Sequence, residues 1–539
     1  MTSTTPPRRP ALRAAAGLGL AFSLGVAALT GCSAIADAAS AAGDSADETT
    51  LAATATSTET KPDDVQAVID GNSDQTVVND DEWSIDDAQE VDLADPTRSG
   101  VEASDDGVTI TEAGVYRLTG QLDGTVTIDA PEDAQVVLVL DGVTIDAADA
   151  AAIQALSADD VAIFLADGSD NSVSSTGAYD EDADPNAAIW SDADLTISGT
   201  GSLSVDGSAN DGITSKDDLV ILSGTIDVTA ADDGLRGKDS LTIRGGTVSV
   251  DAGGDGLQSD QDDDETKGWV LVEGGVLDIT AGSDGIDGFT DAIVTGGAVS
   301  IASEEGFEAG IVAIGGGTID IVATDDGING SAGTAETDGT TSATSTDEAD
   351  AGGEMPADGE FPADGERPTG GMQGGGMQGG GMQDSGEWIL ISGGEITIDA
   401  EGDGLDSNGS LEISGGTIIV NGPTNAGNGA LDANGEIAVT GGTLLALDAG
   451  GMSETPSTDS AQAWVAAAAS GDAGATIEIV ADDGTVLYSG EAAKAFGAVL
   501  YSGEDVTAGA NYTITVDGSE AATATTGEAL AGGMGGPRG

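Results

Sequence analysis

Asp233, Asp255, Asp284, Asp326 and Asp403 each stand directly before a glycine, and an apolar residue follows each glycine. The first two are 22 residues apart. Two residues beyond the glycine, three of these copies add another oxygen donor: Asp287, Asn329 and Asp406. A copy one residue short offers Glu305 at the same place. If the copies stack at strand spacing, the acids form a ladder with steps of about 4.8 Å. Two carboxylates at that separation repel by about 3–4 kcal/mol at an effective dielectric near 20. Protons or cations must relieve such a ladder. Ca²⁺ suits it, because it takes roughly six to eight oxygen ligands in irregular geometry and accepts the carbonyls exposed at glycine turns. With no histidine and one cysteine in the chain, zinc and copper are poor candidates. The competing reading is that each Asp-Gly is a plain turn, with Asp bonding local backbone and Gly supplying positive φ.

Cations are rare, so their placement is informative. Lys216 and Lys238 are 22 residues apart, in "DGITSK" and "DGLRGK", with Arg236 beside the second. Stacked next to the acidic ladder, they can meet uronate carboxylates, or simply neutralise Asp217, Asp218 and Asp239. Trp269 and Trp388 open the matching segments "WVLVEGG" and "WILISGG". They are candidates for a sugar-stacking strip, or for aromatic caps where insertions leave the repeat.

The elements that must position these residues recur from Thr200 to Gly450. Each repeat has a Gly-Gly turn, an alternating apolar run, the Asp-Gly corner and a second short apolar run. Ile226, Val228 and Ala230 fall on one face, as do Val248, Val250 and Ala252. Alternation with period two predicts strands with one buried face. A single repeat cannot bury its apolar face, but stacked repeats can, so the pattern predicts a β-solenoid with repeats of about 22 residues. Residues 101–450 form this predicted domain, interrupted at 331–387 by a low-complexity insertion containing "GGMQGGGMQGGGMQ". Residues 451–539 change texture and are expected to form a small β cap and tail over the open edge.

The first 31 residues carry Arg8, Arg9 and Arg13 ahead of an apolar run ending "LTGC". This is a lipoprotein signal pattern, with Cys32 as the lipidated first residue of the mature chain. It predicts an extracytoplasmic protein anchored to the bacterial cell membrane. Residues 32–100, rich in Ala, Ser, Thr and acids, are expected to be a disordered tether. The formal net charge of −83 excludes nucleic acid as a partner, which requires a cationic face. No protein partner is implied.

"DGITSKDDLVIL", "ADDGLRGKDSLTI", "GGDGLQSD", "ITEAGVYRLTGQLDG" and "VVLVLDGVTI" closely resemble motifs of the secreted carbohydrate-binding β-helix proteins of cellulolytic bacteria. The likeness runs from about Val101 to Gly518. It implies a right-handed parallel β-helix related to pectate lyases, and binding of Ca²⁺, cellulose and acidic plant polysaccharides such as polygalacturonate. It also places calcium ligands at the corners formed here by Asp233, Asp255, Asp284, Asp287, Asp326, Asp403 and Asp406. The chain departs from the pattern at Asn428-Gly429, which replaces an Asp-Gly. The expected function is non-catalytic polysaccharide binding at the cell surface. Two alternatives stand beside it. One is pectate-lyase-like β-elimination, for which Lys216, Arg236 and Lys238 supply candidate bases. The other is a surface adhesin or spacer.

Overall fold

Why does the alternating run become a strand? In Thr225–Ala230, exposed and buried residues alternate, so Ile226 and Val228 turn inward while Thr225 and Asp227 stay outside. Its neighbours are Ser202–Gly207 and Thr247–Asp251, both parallel, with Leu203, Ile226 and Val248 in register. Between Asp211 and Asp251 three such strands make one repeat, and each pairs with the strand three places further along the chain. Asp211–Ser215 pairs with Leu235–Gly237, Asp218–Ile221 with Ser240–Ile243, and Thr225–Ala230 with Thr247–Asp251. The computed structural model describes residues 61–104, 107–148, 150–177, 184–331 and 386–530. It is all-β apart from two short helical segments, and its largest sheet holds 36 strands, mostly parallel.

Inward-facing side chains of successive repeats stack on one another. Ile213, Leu235, Leu257, Ile286 and Phe307 follow in register and are at most 1% exposed. They share one hydrophobic core with residues from Val91 to Leu500. The Asp-Gly corner exists because the repeats approach closely there. A Cβ on Gly234 would lie 2.7 Å from the carbonyl oxygen of Gly256, a distance no side chain tolerates. The Gly234 N–H instead bonds the Asp255 carbonyl at 2.8 Å.

The stacking continues across the insertion. Ile311 pairs with Trp388 and Ile319 with Ile396, so the chain rejoins the same ladder. Most of that insertion, residues 332–385, lies outside the described residues, as do the signal segment, Cys32 and the tether up to residue 60. At the far end Phe496–Ser502 pairs antiparallel with both Thr443–Asp448 and Trp464–Gly471. A four-stranded antiparallel sheet packs Ile477, Ile479, Tyr512 and Ile514 into one core with Leu445, Leu447, Val465, Val499 and Tyr501 of these strands. The antiparallel pairing covers the edge that Thr443–Asp448 would otherwise expose.

Residues 61–100 depart from the expectation of a disordered tether. Helix Val65–Gly71 packs Val65 and Val68 against Trp269, Leu271, Ile293 and Leu390. The chain then crosses one repeat after another. Ser73 bonds Thr266, Gln75 bonds Thr242, Thr76 bonds Asp218 and Val78 bonds Thr196. Trp83 meets the edge of Phe164 with centroids 5.0 Å apart. Gln89–Asp92 finally enters the sheet beside Tyr116–Thr119. This strap orders because it covers outward-facing apolar side chains that water would otherwise wet. Among the described residues, no helix is long and apolar enough to cross a membrane.

Candidate metal centre and binding face

The corner acids form two rows. In the first, Asp233, Asp255, Asp326 and Asp403 are each tied to the next repeat through the backbone. The Asp255 N–H donates to Asp233 Oδ1 at 2.9 Å, and the Asp284 N–H to Asp255 Oδ1 at 2.9 Å. Asp403 donates to Asp326 Oδ1 at 2.5 Å, and Gly429 to Asp403 Oδ1. Three positions further on lies the second row, fixed by strand register: Thr214, Arg236, Gln258, Asp287, Glu308, Asn329, Asp406, Asp432.

Where both rows carry acids, carboxylates converge. Asp284, Glu305 and Glu308 offer oxygens all within 4.8 Å of one another, and so do Asp326, Asp403 and Asp406. Burial is the main cause of their raised pKa values, and neighbouring carboxylates add to it. Asp284 is pushed up to about 9, with Asp255, Glu305 and Glu308 contributing. Asp326 rises to about 8, Glu305 and Asp406 to about 7, and Asp403 to about 6. Asp287 is driven well above its ordinary range by burial, then by Asp255, Asp284 and Glu308. Between the two groups stands Asn329. Its Nδ2 donates to Glu305 Oε2 at 3.0 Å, while its buried Oδ1 has no partner. Oxygens alone, with like charges forced together, fit a hard divalent cation such as Ca²⁺.

Of the seven aspartates expected as ligands, Asp284, Asp326, Asp403 and Asp406 fall into these groups, and Asp287 sits beside Glu308 in register. Asp233 and Asp255 lie in the first row but in neither three-carboxylate group. Asp255 Oδ2 instead accepts from Gln258 Nε2 at 2.6 Å. Glu308 escaped the sequence reading because its repeat is shortened. The signal was present in "EGFE", which repeats the spacing of "DGID" with longer acids. A further group, Asp194, Asp217 and Asp218, lies under the strap, where Asp218 Oδ2 accepts the Thr76 N–H at 2.7 Å. Burial and a bond to Asp239 raise Asp217 to about 7.

The cations are largely engaged. Lys216 pairs with Asp184 at 2.9 Å, and Arg236 with Asp260 and, at 3.9 Å, Asp211. Among the described residues Lys238 joins none of the ion pairs. The aromatic strip needs correction. Trp269 and Trp388 do occupy equivalent positions, but Asp291 and Ile311 intervene between them in the ladder. Trp269 is 4% exposed beneath Val65 and Val68, and Lys61 lies over the Trp388 ring at 5.6 Å. The strap therefore takes the faces that a sugar would need.

A family model described as carbohydrate-binding domain-containing protein matches residues 104–351, 300–425 and 380–518. A carbohydrate-binding domain-containing protein of Acetivibrio thermocellus is 39% identical over 102 residues, which make up 18% of this chain and 36% of that protein. The chain thus spans about a third of the length of this curated relative. A solved structure, the polysaccharide lyase-like protein from C. thermocellum as a gadolinium derivative, is 33% identical with a TM-score of 0.37. That match covers 44% of this chain and 94% of the other.

Proposed function

The chain belongs to the carbohydrate-binding domain-containing family, and on that premise we propose that it is a non-catalytic, calcium-dependent binder of acidic extracellular polysaccharide such as polygalacturonate. The repeats close into a right-handed parallel β-helix, and lipidation at Cys32 holds the protein on the outer side of the cell membrane. One observation carries the reading. Two groups of three carboxylates, Asp284/Glu305/Glu308 and Asp326/Asp403/Asp406, converge on one face with raised pKa values. Protein and polyuronate are both anionic, so contact is repulsive unless cations stand between them. Calcium on these groups would supply that bridge, with Asn329 Oδ1 as a neutral ligand between them. Asp287 adds a carboxylate beside the first group. Arg236, in the same row, and Lys238 at the neighbouring corner would meet uronate carboxylates further along.

The test is retention on immobilised polygalacturonate in millimolar calcium and in chelator. Calcium-dependent retention is expected, and equal elution in both buffers removes the bridge. The lyase alternative rests on Arg236 and Lys238 lying near the acidic rows. Incubation with polygalacturonate and calcium at alkaline pH should release no unsaturated, ultraviolet-absorbing product. Sustained release that disappears in Lys238→Ala would establish β-elimination in its place.

A further inference from the structure

In both three-carboxylate groups, one acid comes from the first row of one repeat. The next repeat supplies its own first-row acid and the residue three positions further on. Asp284 is met by Glu305 and Glu308, and Asp326 by Asp403 and Asp406. Strand register places the same set upstream. Ile213 pairs with Leu235 and Thr214 with Arg236, so Asp211 is met by Asp233 and, three positions on, by Arg236. "DGLR" stands where "EGFE" and "DGLD" stand downstream, with a guanidinium in place of the last carboxylate.

The surroundings are those of a cation site. Asp211 is 1% exposed. Its Oδ2 accepts from Thr214 Oγ1 at 2.9 Å and from Asn186 Nδ2 at 3.3 Å, and lies 3.9 Å from the Arg236 guanidinium. Its Oδ1 is buried without a partner among the described residues. So is Oδ1 of Asp260, which reaches the same guanidinium from the following repeat. Burial raises Asp211 to about 6, and Arg236 pulls against that rise. Burial likewise works against the charge on Arg236, yet Asp260, Asp233 and Asp211 hold its pKa above the ordinary value. A guanidinium is always charged, offers five donors in one plane and, unlike a bound ion, cannot dissociate. We propose that Arg236 is a built-in cation, neutralising Asp211, Asp233 and Asp260 in place of a metal ion, so that this upstream set is closed to calcium and one substitution opens it. The proposal rests on the calcium reading of the two downstream groups. A polyuronate laid along the row meets a permanent cation here and exchangeable ones further on.

Calcium counting by equilibrium dialysis of the full chain tests it. Arg236→Asp completes a set of three carboxylates and should bind one equivalent of calcium more than the parent. Arg236→Lys keeps the fixed charge and should bind the same number as the parent. An unchanged count in Arg236→Asp, or an extra equivalent in Arg236→Lys, overturns the proposal. Should Arg236→Asp fail to fold, Arg236→Gln decides, since it installs the side chain that the next repeat carries at Gln258. Its melting temperature should fall further below the parent's in chelator than in calcium, because the ion takes over from the guanidinium. Equal losses in both buffers would show that Arg236 only packs, and would overturn the proposal as well. A parent that binds no calcium would refute the downstream groups instead, because the comparison here is of each variant with the parent.

Discussion

The backbone N–H of Asp284 donates to Oδ1 of Asp255 across 29 residues of sequence, at 2.9 Å. One carboxylate therefore does structural work on the next repeat. The oxygen accepts from the adjacent repeat rather than from local backbone, and Gly234, Gly256, Gly285, Gly327 and Gly404 are not among the glycines with positive φ, so the plain-turn reading of these aspartates gives way to the ladder.

Asp255→Ala should destabilise the protein by about 1–3 kcal/mol, because it leaves the buried Asp284 N–H without an acceptor. Asp255→Asn keeps an acceptor oxygen and removes a charge whose pKa burial has raised, so it should be neutral or stabilising in chelator. Denaturant unfolding of both variants decides the matter. Equal losses would mean that the charge, rather than the clamp, is what the fold uses.

The raised acids set a pH dependence of definite sign. Asp284, Asp326, Glu305 and Asp406 have folded pKa values of about 9, 8, 7 and 7, against about 4 when unfolded. The folded state therefore holds more protons, and stability falls as pH rises between those limits. In chelator the melting temperature should drop steadily from pH 5 to pH 9. Calcium binds the deprotonated groups, so it should flatten or reverse that slope. A melting temperature rising with pH in chelator would contradict the burial of these carboxylates.

Much of this architecture is legible in the sequence, and the reason is periodicity. Ile226, Val228 and Ala230 alternate, their equivalents return 22 residues later, and Gly234 and Gly256 mark corners where no side chain fits. Convergence of carboxylates is harder to read, since it depends on register between repeats of unequal length. Glu308 meets Asp284 only because the step from Ala302 to Glu305 is one residue shorter than that from Thr280 to Asp284, which brings Glu305 level with Asp284. The strap was hidden altogether. Residues 61–88 carry no period, and their partners are remote, as with Val78 and Thr196, 118 positions apart. The matching of Trp269 with Trp388 was visible, whereas the helix that covers them was not.

That cover yields a prediction of its own. Val68 is 5% exposed in the apolar cluster around Trp269. Val68→Asp would bury a charge there and should release the helix, at a cost of about 2 kcal/mol or more. Indole fluorescence should then become more accessible to a neutral quencher such as acrylamide. Comparison with a Trp269→Phe background identifies the exposed ring. Unchanged quenching in Val68→Asp would show that the strap is not what shields Trp269.

The two carboxylate groups should also be separable. Glu308→Gln removes charge from the group with Asp284 and Glu305, and Asp406→Asn removes it from the group with Asp326 and Asp403. Both substitutions preserve size. If each group holds its own calcium, calorimetry should lose one equivalent of tightly bound calcium per single variant and two in the double variant. Asn329 stands between the groups in register with both Glu308 and Asp406. Asn329→Ala removes its unpartnered Oδ1 together with its bond to Glu305, and should weaken calcium by about tenfold without changing the number bound. Polygalacturonate retention should fall in the order of calcium occupancy, with the double variant weakest. A double variant that binds calcium and polymer like the parent would move the bridge away from both groups, leaving the carboxylates as acids held by the fold alone.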